Sequence, residues 1–348
     1  MENLLLFLTI ISFLVTFSTT PFVARFARKF NLVDNPKERP HPAHTHKGII
    51  PRAGGVGIFL GIFLPIILLS MLNKNILFIF GGALILVSVG IWDDRKNRSP
   101  YIRFITCSIA ALIAIMGGVG IPYITNPLDG IIRLDSIPIV ANLFAFFWIV
   151  WTTNIIGWSG GVDGQLPGFV SISALIIGLL SLRYAGDINQ QTTTYLSFTT
   201  FGAFLGFIPW NFYPQKIMPG YGGKTLAGFM LATLSILSYS KLGTALLVLI
   251  VPMADAFFIF FKRILSGHSP VWATSGHFHH YLLALGWSKR RIAIFYWCIS
   301  AVAGIIALNL NSKQKIFAVI LILVLVSGVI LGLNFLKKLT DKTEDNDY

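Results

Sequence analysis

The chain has 348 residues, a length that suits two or three soluble domains, but 55% of them are hydrophobic and only 12% are charged. Together with a mean hydropathy of +0.73, this composition excludes an ordinary soluble protein and favours a membrane protein. The net charge of +13 would suit nucleic acid, but the Lys and Arg residues lie mainly in short stretches between apolar runs, so we expect no nucleic-acid partner.

The apolar runs predict transmembrane helices. A helix crosses a bilayer core with roughly 20 apolar residues, and the runs lack the alternation of a membrane barrel. We therefore predict an all-α polytopic integral membrane protein with about 11 transmembrane helices and cytoplasmic polar loops. Residues 1–338 form one membrane domain, and residues 339–348 form a polar cytoplasmic tail. The predicted spans lie near residues 3–24, 49–72, 76–92, 102–123, 138–156, 166–184, 195–213, 225–240, 243–262, 291–310 and 315–336.

Loop charge sets the orientation of these spans. Lys and Arg concentrate after the first span, after the third, and between the ninth and tenth, and all of these loops fall on one side. By the positive-inside rule this side is cytoplasmic. The connections on the other side are short or plain. All seven histidines and seven of the twelve arginines lie in five segments on the cytoplasmic side, as expected for a site that takes a charged substrate: 31–54, 92–103, 154–165, 211–224 and 263–290.

An acidic pair, Asp93-Asp94, ends the third predicted span. Adjacent carboxylates at a membrane edge are costly unless they meet a cation, a metal ion or water. Carboxylate oxygens suit Mg²⁺, which also takes phosphate oxygens and water. The alternative is a solvated helix end whose charge Arg95 and Lys96 compensate.

A glycine-rich segment runs from Asn154 to Gly164 after the fifth span. Its glycines permit tight turns and the close approach of a ligand to backbone amides. A structural turn explains the glycines adequately, but it explains Asn154 and Asp163 less well, because polar side chains beside a membrane core usually have a partner or a function.

A second glycine-rich segment reads Gly220-Tyr221-Gly222-Gly223-Lys224-Thr225. Its spacing is too short for the GxxxxGK[ST] pattern, which argues against a nucleotide-hydrolysing P-loop. Lys224 near a helix start would still hold an anion. A plain helix start after a glycine turn is the alternative.

Three histidines fall within four residues in His277-Phe278-His279-His280, after the ninth span. They would suit Zn²⁺ or an anionic phosphate, but neither an HExxH pattern nor a cysteine partner accompanies them. The alternative is a solvated loop.

Taken in order, these motifs resemble those of the polyprenyl-phosphate N-acetylhexosamine-1-phosphate transferase family, which includes phospho-N-acetylmuramoyl-pentapeptide transferase and the N-acetylglucosamine-1-phosphate transferases. The resemblance covers about residues 30 to 290, and the joint order of the motifs is highly specific. The matching motifs are Val33-Asp34-Asn35-Pro36, Lys47 with Pro51-Arg52-Ala53-Gly54-Gly55, Asp93-Asp94, Asn154 through Gly164, Leu205 through Asn211, Pro252 through Asp255, and His277 through Leu283.

The resemblance implies a multi-pass enzyme of the plasma membrane that transfers a sugar-1-phosphate from a UDP-N-acetylhexosamine to polyprenyl phosphate and releases UMP. The product would serve cell-wall biogenesis, including peptidoglycan, or surface glycans, and a homodimer is compatible with this assignment. Asp93, Asp94 and Asp163 would be catalytic and would ligate Mg²⁺. The residues assigned to substrate binding are Lys47, Asn154, Asn211, Lys224, His277, His279 and His280.

The sequence departs from the family pattern in two places. Gly157 and Gly160 replace an Asn and an Asp of the first glycine-rich segment, and Tyr221 stands where the GDxGS loop has its metal-binding Asp. Lys224 replaces the Ser of that loop. These changes predict a divergent site with weakened Mg²⁺ binding; the alternative is a catalytically inactive homologue that binds the lipid carrier or partners glycan-assembly enzymes. A transporter, which would use Asp255 inside the ninth span, is a third hypothesis.

Overall fold

A computed structural model describes residues 1–38, 46, 48–96, 98–126, 130–184, 186–238, 241–267 and 276–344. Within these ranges, thirteen helices and four short strands form the regular structure. The helices are α1 Glu2–Lys29, α2 Gly54–Leu68, α3 Lys74–Lys96, α4 Pro100–Met116, α5 Pro138–Ser159, α6 Gln165–Leu182, α7 Ile188–Asn211, α8 Gly220–Leu237, α9 Lys241–Val248, α10 Ile250–Leu265, α11 Phe278–Ala284, α12 Lys289–Asn309 and α13 Ser312–Glu344. The strands are β1 Val33–Asp34, β2 Ile50–Pro51, β3 Tyr123–Thr125 and β4 Ile131–Arg133.

The predicted all-α membrane fold is confirmed, and each predicted span overlaps a helix. In the part of the chain that the structure describes, six helices are long and apolar enough to cross a membrane, or seven if the bent pair α9 and α10 forms one span. Helices α2 and α4 are apolar but shorter. The number of eleven spans therefore stays a prediction. Helix α13 continues to Glu344, past the predicted domain boundary at residue 338.

Helix α8 lies in the middle of the bundle and packs against α2, α3, α5, α6, α7 and α9. Its residues from Thr225 to Ser235 are all buried, as expected for a helix that is apolar on every side. Small residues allow close packing around it. A Cβ added to Gly228 would lie 2.6 Å from Thr153 Cα of α5, so only glycine fits there.

The ninth predicted span is broken in the structure. Helix α9 ends at Val248, and α10 leaves it at an angle of 85°. Pro252 explains the position of the break, because a proline has no N–H to donate to the carbonyl four residues earlier, that of Val248. The sequence contained this signal, but the prediction of a continuous helix over 243–262 overlooked it.

The connection between α4 and α5 also differs from the plain loop that the sequence predicts. Strands β3 and β4 pair antiparallel, with Ile124 opposite Ile132. The β-branched residues of both strands favour this conformation. The hairpin lies at the end of the bundle opposite to the polar segments.

Candidate active site

The described residues of the five polar segments predicted to share one side meet at one end of the helix bundle. Direct contacts join them across long stretches of sequence. Arg52 contacts Asp94, the backbone of Tyr221 donates to Asp94, and Lys224 Nζ donates to the carbonyl of Gly160. Buried charges from separate parts of the chain therefore gather at the ends of α3, α5 and α8.

Asp93 forms a bidentate ion pair with Arg103. Arg103 Nε donates to Asp93 Oδ1 at 2.8 Å and Nη2 donates to Oδ2 at 3.1 Å, and the Arg98 N–H also donates to Oδ1 at 3.0 Å. The carboxylate is 1% exposed. Paired charges of this geometry satisfy a buried carboxylate that would otherwise be very costly. Arg103 reaches it because α4 begins at Pro100, only a few residues after α3 ends at Lys96.

Asp94 sits against the first turn of α8. Its Oδ1 and Oδ2 accept from the Tyr221 N–H at 3.0 and 3.2 Å, and Arg52 Nε lies 3.2 Å from Oδ1. A carboxylate at a helix N-terminus satisfies a free N–H group and interacts favourably with the helix dipole. Gly220 makes this approach possible: its φ is +69°, and a Cβ there would overlap Asp94 Oδ2.

These ion pairs belong to a larger group that we call the charge cluster. Arg52 Nη1 lies 3.8 Å from Asp34 Oδ1, so Arg52 bridges two carboxylates. Lys224 interacts electrostatically with Asp94, Asp34 and both arginines. The charge cluster consists of Asp34, Arg52, Asp93, Asp94, Arg103 and Lys224. It holds three carboxylates and three cations, and its formal charge is therefore zero.

The glycines of the second glycine-rich segment serve helix packing. Gly222 and Gly223 lie in the first turn of α8, where a Cβ on Gly55 of α2 would be 2.7 Å from Gly223 Cα. A Cβ on Gly90 of α3 would overlap the backbone of Gly222. The N-terminal ends of α2 and α8 are further joined by the Gly55 N–H, which donates to the carbonyl of Pro219 at 2.8 Å. The glycines thus bring the charged residues of three segments together.

Asp163 belongs to a separate set of contacts. Gln215 Nε2 donates to Asp163 Oδ1 at 3.0 Å, and Lys289 Nζ donates to the same oxygen at 3.3 Å. Asn211 Oδ1 accepts from the Gly164 N–H at 3.1 Å, so the predicted substrate-binding Asn211 braces this loop. Asn154 Nδ2 donates to the carbonyl of Val150 in its own helix, at 2.8 Å.

The histidine run is fixed by a buried carboxylate of α10. Asp255 Oδ2 lies 2.9 Å from His277 Nδ1, and Asp255 Oδ1 accepts from the Phe278 N–H at 2.7 Å. The rings of His277 and His279 stack with centroids 5.6 Å apart. Asp255 therefore has a structural partner, which removes the feature that favoured a transporter.

His279 extends the histidine run toward the charge cluster. Its ring packs against Gly161, where a Cβ would overlap it, and it interacts electrostatically with Lys224. Burial, together with the neighbouring His280 and His277, lowers the pKa of His279 well below its ordinary value. The buried Nδ1 atom of His279 has no hydrogen-bond partner among the described residues.

The residues present do not fit the Mg²⁺ ion that the resemblance implies. Mg²⁺ requires oxygen ligands in near-ideal octahedral geometry, but both oxygens of Asp93 and both of Asp94 already accept from N–H groups. Among the described residues, no three His, Cys, Asp or Glu side chains are grouped to hold a metal ion. Asp163 thus does not join Asp93 and Asp94 in the predicted ligand set. The Mg²⁺ requirement and the catalytic roles of these residues stay predictions.

Two residues of this region, Arg103 and Asp255, are not among the predicted site residues, and one predicted residue lies outside the described ranges. Arg103 was counted only as loop charge, although a cation in the first turn of an apolar helix is itself a functional signal. Asp255 was linked to transport and not to the histidines. Lys47, predicted to bind substrate, lies outside the described residues.

The chain is similar to several known transferases. Residues 76–239 match the family described as glycosyl transferase family 4. The chain is 28% identical to a probable undecaprenyl-phosphate N-acetylglucosaminyl 1-phosphate transferase of Bacillus subtilis, over 91% of this chain and 88% of the relative. It is 28% identical to a decaprenyl-phosphate N-acetylglucosaminephosphotransferase of Mycobacterium leprae, over 91% and 86%. An undecaprenyl-phosphate alpha-N-acetylglucosaminyl 1-phosphate transferase of Haemophilus influenzae is also 28% identical, over 86% and 84%.

The fold and the buried charges define a multi-pass membrane enzyme whose polar site lies at one end of its helix bundle. The chain is similar to polyprenyl-phosphate N-acetylglucosamine-1-phosphate transferases over most of its length, and its residues 76–239 match glycosyl transferase family 4.

Proposed function

We propose that the protein transfers a sugar-1-phosphate from a UDP-N-acetylhexosamine to polyprenyl phosphate, with release of UMP, during the synthesis of cell-wall or surface-glycan precursors. The observation that carries this proposal is the charge cluster, which gathers three cations and three carboxylates where the ends of α3 and α8 meet. In the reaction, an oxygen of the lipid phosphate bonds to the β-phosphorus of the donor. The bond from that phosphorus to the bridging oxygen breaks, and UMP departs.

The cations of the charge cluster supply what this reaction needs from the protein. Phosphoryl transfer depends on positioning and on neutralising the charge of the phosphate oxygens. Asp93 and Asp94 hold Arg103 and Arg52 in fixed orientations, so that the guanidinium groups are arranged before the substrates bind. We place this end of the bundle on the cytoplasmic side of the plasma membrane, because the basic loops lie there.

UDP-N-acetylglucosamine is the first donor to test, because the names of the three relatives all specify N-acetylglucosamine. The muramoyl-pentapeptide donor of peptidoglycan synthesis is the second. A catalytically inactive homologue is not favoured, since the chain matches most of the length of relatives that are named as transferases.

Charge-removing variants of the acidic pair test the proposed site. We expect Asp93→Asn and Asp94→Asn each to abolish UMP release by the purified full-length protein while expression persists. Asp135→Asn, at an exposed position beside the hairpin at the other end of the bundle, is the matched control and should leave the rate unchanged. Full activity in both cluster variants would contradict the proposed site, and thermal unfolding in detergent would show whether a loss of activity reflects a loss of fold.

A further inference from the structure

The carboxylate oxygens of the charge cluster are held by fixed cations and backbone N–H groups, which is the opposite of a metal-binding arrangement. To ligate a divalent ion, Asp94 would have to give up the Tyr221 N–H and Arg52. The guanidinium groups of Arg52 and Arg103, which contact these carboxylates, would also repel a divalent ion. Tyr221 supports this arrangement, since its hydroxyl donates to the Arg103 carbonyl at 3.1 Å and its ring lies 5.1 Å from the guanidinium carbon.

Lys224 has unused capacity to bind an anion. An ammonium group has three donors, and among the described residues Lys224 Nζ makes one hydrogen bond, to the Gly160 carbonyl at 2.9 Å. The residue as a whole is partly exposed. His279 interacts electrostatically with Lys224, and its buried Nδ1 lacks a hydrogen-bond partner among the described residues. An unpartnered buried polar atom beside an under-used cation indicates that a polar ligand completes the site.

We propose, as an inference that rests on the proposed function, that Lys224, Arg52 and Arg103 bind the diphosphate of the donor in place of a divalent metal ion. Donor binding and transfer then need no such ion. A diphosphate supplies several acceptor oxygens, and Lys224, Arg52 and Arg103 carry N–H donors for them. The bound phosphates neutralise these cations, whose present partners are carboxylates. If the ammonium group of Lys224 takes the place of a metal ion, this explains why a lysine lies in the first turn of α8, near Asp94.

Binding of UDP to the full-length protein in detergent tests this inference by isothermal titration calorimetry, once with EDTA and once with MgCl2. We expect dissociation constants that agree within about threefold in the two conditions. Lys224→Gln should weaken binding in EDTA about tenfold or more, the size of one charge-assisted hydrogen bond. Lys224→Arg keeps the charge and should bind within a few-fold of the unmodified protein.

Lys74→Gln is the matched control, because Lys74 is exposed at the opposite end of the helix that carries Asp94, about 30 Å away. It should bind UDP like the unmodified protein. Loss of UDP binding in EDTA, unchanged binding by Lys224→Gln, or no UDP binding in either condition overturns the inference. Far-ultraviolet circular dichroism and gel filtration establish that each variant is folded.

A parallel assay of UMP release separates this inference from the proposed function. UMP release that requires both substrates and continues in EDTA supports both. UMP release only with MgCl2 overturns the inference and leaves the transferase standing. If UDP binds in EDTA but no donor gives UMP release, the diphosphate-binding site is supported and the proposed transfer is overturned.

Discussion

Gly90→Ala is the sharpest structural test of how the charge cluster is assembled. A Cβ at this position of α3 would overlap the N and Cα atoms of Gly222 in α8, and backbone atoms cannot move aside as a flexible side chain can. Overpacking of this kind costs about 1–3 kcal/mol, and contact with backbone places the expected cost at the upper end. The same substitution gains up to about 1 kcal/mol of helix propensity. We therefore expect a net loss of about 2 kcal/mol in the free energy of unfolding.

Gly81→Ala is the matched control on the same helix. The nearest atom to a Cβ at Gly81 is Ile113 Cγ2 at 3.7 Å, which is an ordinary contact. This variant should be as stable as the unmodified protein or more stable by up to about 1 kcal/mol, so the two variants should differ by about 3 kcal/mol.

Titration with sodium dodecyl sulfate in mixed micelles measures the unfolding of both glycine variants, and UMP release measures their activity. Gly90→Ala forces α3 and α8 apart and separates Asp94 from the Tyr221 N–H, so the rate should fall on the order of 100-fold. Equal stability and activity in Gly90→Ala and Gly81→Ala would refute the argument that close glycine packing positions the cluster.

Two further predictions concern the histidine run. Asp255→Asn removes the charged partner of His277 Nδ1 and should lower UMP release about tenfold, with Asp135→Asn as a control at an exposed aspartate; an unchanged rate would show that Asp255 does not act as a positioning residue. Because the pKa of His279 is lower in the folded protein than in the unfolded chain, the unfolded chain binds more protons as the pH falls below about 6.5. The thermal unfolding midpoint should therefore be highest above that pH and decrease below it. The His279→Gln variant should show a smaller decrease, and an identical pH profile in the variant would contradict this prediction.

The positions of the helices could be predicted from the sequence because each apolar run is long and bounded by charged or glycine-rich segments. The grouping of the polar segments at one end followed from the alternating direction of successive helices. The break at Val248 was also readable, since Pro252 lacks the N–H that a continuous helix needs. Segment length and hydropathy alone do not reveal this break, because both also suit a continuous span.

The pairing inside the site could not be predicted from spacing. Gly222 and Gly223 have the composition of a phosphate-binding loop, but their close neighbours are glycines more than a hundred residues away in α2 and α3. Likewise, nothing in the sequence around Asp93 indicates that Arg103 donates to both of its carboxylate oxygens, because that depends on how α4 is oriented relative to α3. The charged residues can be read from the sequence, but only the tertiary contacts show which of them are paired with an opposite charge.

The most direct measurement of the central claim follows the β-phosphate of the donor. Full-length protein in detergent is incubated with polyprenyl phosphate and UDP-N-acetylglucosamine radiolabelled at the β-phosphate, and lipid and water-soluble products are separated by extraction. The proposed transfer predicts that the label moves into the lipid fraction while unlabelled UMP appears in equal amount. Label that remains in UDP would mean that only the sugar is transferred, and label that remains in the intact donor would mean that the protein does not catalyse this reaction.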